Sequence, residues 1–220
     1  MSRRNGILGN VLVGLLSAVA LTLGSFRLKD WLFAAPSPPI SAVRVKDWAQ
    51  YSEVGERLGS PSAKLDIVMF SDFQCPYCRA AAANLEEIQR HRPEIAVLYR
   101  HFPLSGHRSA MSAAQASVCA SRQHSFKGMH HELFLHQDSL GRKPWGMYAL
   151  AAGVPDTMTF DSCMRDSTLV GEIRRDSIAG AKLGIIGTPT LLIRDLRIDG
   201  SPSLKELDQY VAEALRASGH

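Results

Sequence analysis

Cys75-Pro76-Tyr77-Cys78 constrains this 220-residue chain more than any other stretch, because it joins an apolar run, Leu65-Asp66-Ile67-Val68-Met69-Phe70, to an alanine-rich one, Arg79-Ala80-Ala81-Ala82-Ala83. A CxxC at a strand-to-helix junction reads as a redox pair. The first cysteine then sits at the helix N-terminus, where unpaired backbone N–H groups and the helix dipole favour a thiolate over a thiol. Cys75 is therefore the expected nucleophile and Cys78 the thiol that resolves its mixed disulfides. Pro76 suits the first helical position, where a missing N–H leaves nothing unsatisfied and the fixed φ already fits. Two other readings compete: a metal knuckle and an inert structural disulfide. Knuckles usually come as two CxxC units, or as one with a close histidine pair, and typically turn on a glycine after the second cysteine. Arg79 and four alanines stand there instead.

Nucleic acid is a poor partner for this sequence. Its net charge is +4, of which Arg3 and Arg4 supply two units, too little for a phosphate-binding face. No glycine-rich phosphate loop and no solenoid-length repeat is visible, which weighs against nucleotide enzymes and repeat proteins. A hydrophobic content of 45% allows a substantial core in one ordinary domain plus a tail.

Residues 7–26 carry no charge, and as a helix rising 1.5 Å per residue they would span about 30 Å, matching a bilayer core. Arg3 and Arg4 place residues 1–6 in the cytoplasm and the rest outside, although Arg27 and Lys29 weaken the asymmetry. The expectation is an uncleaved signal anchor in a single-pass cell-membrane protein, its catalytic domain on the periplasmic or extracytoplasmic side. A cleaved signal peptide, leaving a soluble periplasmic domain, is the alternative; Ala18-Val19-Ala20 and Phe33-Ala34-Ala35 offer loosely suitable small residues. Both readings export the domain to where disulfides persist. Residues 27–40 form a linker whose Ala34-Ala35-Pro36-Ser37-Pro38-Pro39 makes a semi-rigid extended spacer.

Beyond the linker, a short strand is predicted at Ala42 to Val45, a stronger one at Lys64 to Phe70, a helix from Pro76 to about Arg90 and a strand from Ile95 to Arg100. From Ser109 to Leu183 the texture is helical, in segments Ser109 to Ser121, Ser125 to His136, Pro144 to Ala152, Asp156 to Met164 and Ser167 to Leu183. Strand character returns at Thr190 to Ile193, a hairpin at Asp195 leads to Leu196-Arg197-Ile198, and Leu204 to Leu215 closes as an amphipathic helix.

Three stretches, Phe70-Ser71-Asp72-Phe73-Gln74-Cys75-Pro76-Tyr77-Cys78, Tyr99-Arg100-His101-Phe102-Pro103-Leu104 and Gly187-Thr188-Pro189-Thr190, together resemble the DsbA-like branch of the thioredoxin superfamily. The resemblance covers about Val45 to the C-terminus. It implies an α/β thioredoxin fold with an inserted helical domain, here preceded by an N-terminal transmembrane helix: residues 41–106 are the first part of the thioredoxin fold, 107–184 the insertion and 185–220 the second part. The last stretch is similar to the family's cis-proline loop, which packs against the active-site cysteines, so Pro76, Tyr77, Thr188 and Pro189 would support the site. The backbone of Thr188 would pair with an extended client strand, and its hydroxyl would either favour the thiolate or serve only in the turn.

The activity implied is that of an exported thiol-disulfide oxidoreductase that introduces disulfides into reduced or unfolded exported proteins and is recharged by a quinone-linked membrane redox partner. No cofactor and no metal are expected. The alternatives are a reductase or isomerase of the same fold and a non-catalytic tethered holdase or assembly module. One departure stands out: many relatives carry a buried acid six residues before the first cysteine, where this chain has Met69. Proton exchange by Cys78 would then fall to water, His101 or Asp72.

Cys119 and Cys163 lie 44 positions apart on two predicted helices of the insertion. In an exported chain they would staple that block; two buried free thiols and a second redox relay are the other readings. Among eight histidines, His130, His131 and His136 cluster most closely, but His131 and His136 differ by five positions and share no helix face as ligands would. Solvated or capping roles are expected for them. His101 and His107 would either stabilise a thiolate or serve in packing and on the surface. Met111, Met129, Met147 and Met158 are expected to fill core gaps.

Overall fold

The structure, a computed structural model, describes residues 41–218; the expected anchor at 7–26 and linker at 27–40 lie outside the described residues. No helix among the described residues is long and apolar enough to cross a membrane. The chain runs β1 (Ser41–Arg44), β2 (Glu56–Gly59), β3 (Leu65–Ser71), α1 (Pro76–His91), β4 (Ile95–His101), α2 (Ala110–Ser121), α3 (Phe126–Leu135), α4 (Trp145–Ala151), α5 (Thr157–Met164), α6 (Leu169–Lys182), β5 (Thr190–Ile193), β6 (Leu196–Asp199) and α7 (Leu204–Ser218). One six-stranded sheet has the order β1-β6-β5-β3-β4-β2. β3 and β4 are parallel, joined by α1, and the other pairings are antiparallel.

β3 and β4 are interior strands, β3 between β5 and β4 and β4 between β3 and β2, and most of their residues are apolar enough to be covered on both faces. Alternation divides them cleanly. Ile67 and Met69 point towards Leu85 and Ile88 of α1 and Leu207 and Val211 of α7. Val68, Phe70 and Leu98 point to the opposite face, where Leu183 and Ile185 follow α6. Close approach of α6 to that face requires Gly180, since a Cβ there would meet Phe102 at 2.8 Å and Phe70 at 3.1 Å. A buried ion pair fastens the same contact: Asp176 accepts Arg100 Nε at 2.8 Å and the His101 N–H at 2.9 Å.

The helical block falls between β4 and β5. Its Ala113, Ala116, Met129, Leu133 and Phe160 share the core that covers the α1 face, and Cys119 of α2 is disulfide-bonded to Cys163 of α5 with their Cα atoms 5.8 Å apart. Three expectations need correction here. Met147 and Met158 do not fill the core but are 57% and 82% exposed, because α4 and α5 are so short that Tyr148, Ala149 and Phe160 occupy their inward faces. Met129 is buried as expected. His130 is only partly exposed and packs rather than points to solvent: its ring lies 4.9 to 5.9 Å from those of Phe73, Tyr99, Phe126 and Phe134. His131 and His136 are exposed.

β2 was not expected from the sequence. It pairs with β4 at the sheet edge, and Arg57 on it forms a two-pronged ion pair with Asp66 of β3 at 2.7 Å. The strand ends at Gly59, whose φ of +117° and approach to Ala96 Cα, 3.1 Å from a built Cβ, exclude other residues.

Candidate active site

Cys75 caps α1 with extended backbone angles and Pro76 takes the first helical position. The turn before it is closed by the Cys75 N–H donating to Asp72 O at 3.1 Å, and the helix begins with the Cys78 N–H donating to Cys75 O at 3.1 Å. Both sulfurs are shielded: Cys75 is 3% exposed and Cys78 0%. Facing them is the loop before β5, where the Thr188–Pro189 peptide bond is cis and Thr188 O accepts the Cys75 thiol at 3.3 Å. Residues 113 positions apart are thus in contact, with Pro189 buried and Thr188 partly so. Pro76 is exposed, and Tyr77 packs partly buried against the core.

The two thiols are pushed in opposite directions. The Cys75 pKa falls from 9.0 to about 6, chiefly because the Cys78 thiol donates to its sulfur; burial opposes this, and the Cys78 N–H, the Thr188 hydroxyl and the Tyr77 N–H assist. Burial raises the Cys78 pKa well above 9.0, with the Cys75 sulfur adding to the rise. The reduced site therefore holds one proton, on Cys78, and one charge, on Cys75, at neutral pH. Alkylation of Cys75 in the reduced protein is expected to reach half its maximal rate near pH 6, against 9.0 for an ordinary thiol, and Thr188→Val should move that midpoint up. Because the folded value is depressed, the stabilisation of the reduced protein is complete above 9.0 and is lost as pH falls through about 6.

Three polar residues around the pair were not singled out from the sequence in the positions they occupy. Gln137, buried in a short turn after α3, donates through Nε2 to Phe73 O at 2.7 Å and to Cys75 O at 2.9 Å, so the helical block holds the cysteine turn directly. Asp72 was expected near Cys78 as a proton acceptor, yet its carboxylate is turned away. Its side chain accepts the Gln74 N–H at 2.7 Å, the Leu104 N–H at 2.9 Å and pairs with His107 Nδ1 at 2.7 Å. What reaches Cys78 is the Asp72 backbone N–H, 3.4 Å from Sγ. His107 thus touches the carboxylate rather than a sulfur.

His101 is buried against Tyr99 and Phe73. Burial lowers its pKa from 6.5 to about 4, with Asp176 opposing. A depressed folded value makes neutral His101 a source of stability that is complete above 6.5 and lost as pH falls through 4. The oxidised protein is expected to lose about 3 kcal/mol from this group across that window, visible as a falling urea midpoint that His101→Phe flattens. Among the described residues no cluster of His, Cys, Asp or Glu is arranged to hold a metal ion.

A CxxC on a helix N-terminus, set against a cis-proline loop on a sheet with a parallel βαβ unit, defines a thioredoxin-like fold. The thioredoxin family pattern matches residues 52–213, and the chain belongs to that family. Among solved structures, a periplasmic thioredoxin-like protein from Salmonella enterica serovar Typhimurium is similar at 26% identity and a TM-score of 0.65, covering 79% of this chain and 99% of that one. The thiol-disulfide exchange protein alpha-DsbA2 from Wolbachia pipientis shares the fold at 20% identity and a TM-score of 0.67, covering 76% of this chain and 92% of that one. A curated relative, the Na(+)/H(+) antiporter NhaA 1 of Mycolicibacterium gilvum, is 33% identical over 90% of this chain but only 32% of its own length. The chain spans about a third of the first such relatives, so ion exchange is not transferred from them.

Proposed function

We propose that this protein is an exported thiol-disulfide oxidoreductase that donates its Cys75–Cys78 disulfide to reduced client proteins. A client thiolate attacks Cys75, the bond to Cys78 breaks, and a second client thiol then displaces Cys75 to leave the client oxidised. The observation that carries this reading is the asymmetry of the pair: a thiolate-forming Cys75 against the Thr188 carbonyl and a fully buried, proton-retaining Cys78. The backbone at Thr188, flanking the cis bond, supports pairing with an extended client segment. A stabilised Cys75 thiolate favours the reduced form and hence donation of the disulfide. Export is supported by the periplasmic origin stated for the Salmonella structure, membrane attachment by the uncharged segment 7–26, and recharging is assigned to a membrane redox partner.

The direction is tested by equilibrating the protein with glutathione buffers and reading Cys75 alkylation. A reduction potential above about −200 mV is expected; a value near the thioredoxin figure of about −270 mV would reverse the direction and make the protein a reductase.

A further inference from the structure

Cys78 faces a demand that Cys75 does not. When a client thiolate attacks Cys75, the electron pair of the broken bond leaves on the Cys78 sulfur, so negative charge arises in the least accessible part of the site. Exchange is faster when the leaving thiolate is better stabilised. The donors that face Cys78 therefore govern the step. One is the Asp72 N–H at 3.4 Å; the Asp72 carboxylate is engaged elsewhere.

The end of β3 carries a further hydroxyl on the same face. Alternation along the strand puts Ser71 on the same face as Ile67 and Met69, the face covered by α1, and Ser71 is its last residue before the turn that leads to the cysteines. On the neighbouring strand Tyr99 sits opposite Met69, one pleat from Ser71. Both hydroxyls are buried, and no hydrogen bond of ordinary length and angle reaches either. Buried hydroxyls left without partners are costly, so two on the face of the sheet behind the cysteine turn call for an explanation. The pull of Ser71 on both neighbours, lowering Cys78 and Tyr99 alike, agrees with that placement. Of the other groups facing Cys78, Cys75 forms the bond itself, Met69 is apolar, and the Thr188 hydroxyl lowers both sulfurs rather than Cys78 alone.

We propose that the Ser71 hydroxyl donates a hydrogen bond to the Cys78 thiolate as it leaves, and that Tyr99 positions Ser71 by donating to its oxygen. The proposal rests on the reading of Cys75 and Cys78 as the exchanging pair. In the step, the client-sulfur to Cys75 bond forms, the Cys75–Cys78 bond breaks, and its electrons reside on Cys78. Ser71 and Tyr99 keep their protons, and the thiolate is later neutralised by a proton from water.

The test is the single-turnover rate at which reduced glutathione attacks the oxidised full-length protein. A charge-assisted hydrogen bond predicts that Ser71→Ala slows this attack by about tenfold or more. Ser71→Thr should retain most of the rate, and adding Tyr99→Phe to Ser71→Ala should slow it no further, since the tyrosine acts through the serine. The pH midpoint of Cys75 alkylation should stay at the wild-type value in Ser71→Ala, which a general loosening of the site would not allow. A Ser71→Ala rate within about twofold of wild type, or an equal loss accompanied by a shifted Cys75 midpoint, overturns the proposal. If the wild-type protein itself fails to exchange, the oxidoreductase reading falls instead.

Discussion

Replacing Cys75 with serine is expected to lower client oxidation by more than about a thousandfold, because a serine hydroxyl is not ionised at neutral pH and cannot form the exchanging disulfide. Cys78→Ser should behave differently. Cys75 keeps its place at the helix N-terminus and against Thr188, so its thiolate can still attack a client disulfide and form a mixed disulfide, but the Cys78 thiol that would release it is gone. Non-reducing gels of the two variants with a disulfide-bonded client should show no adduct for Cys75→Ser and an accumulating one for Cys78→Ser, in which Cys75 has displaced one client sulfur. Intact client oxidation by Cys75→Ser would instead favour a tethered holdase whose cysteines are only a staple.

The second large effect belongs to the disulfide between Cys119 and Cys163. It closes a loop of 44 positions, and loop-closure entropy for that length corresponds to about 4 kcal/mol of stability. A Cys119→Ala/Cys163→Ala variant should therefore melt about 10 °C lower than the wild type, as read by calorimetry. Exchange at a temperature where the variant is folded should persist. Loss of exchange in a folded variant would mean that this pair is a relay for electrons and not a staple.

The features most legible in the sequence are those with strong local signatures. The cysteine motif announces the β3 to α1 junction because an apolar run, a proline and a string of alanines flank it, and the structure starts its helix at Pro76. β2 was invisible because Glu56–Gly59 contains a single inward-facing leucine and a glycine; it is a strand only because β4 lends it hydrogen bonds. Gln137 carries no signal either. It lies in a polar stretch with no period, and its partners are carbonyls 62 and 64 positions away. The two exposed methionines show a different limit: composition says that methionine suits a core, whereas the inward direction of a short helix is fixed by its neighbours. Asp72 was noticed for its carboxylate, but the chain uses its backbone at the sulfur, a choice that residue type cannot encode.

The Gln137 amide has a consequence for exchanging parts between relatives. It holds two carbonyls of the turn that carries Cys75, while belonging to a block that elsewhere serves as a helical cap on the sheet. A chimera that replaced residues 107–184 with a foreign helical block would keep its apolar fit only by repacking, and would leave Phe73 O and Cys75 O buried without their donor unless the graft delivered an amide to the same spot. The insertion is therefore not an interchangeable module: Gln137 ties it to the cysteine turn as Asp176 ties it to β4 and His107 to Asp72.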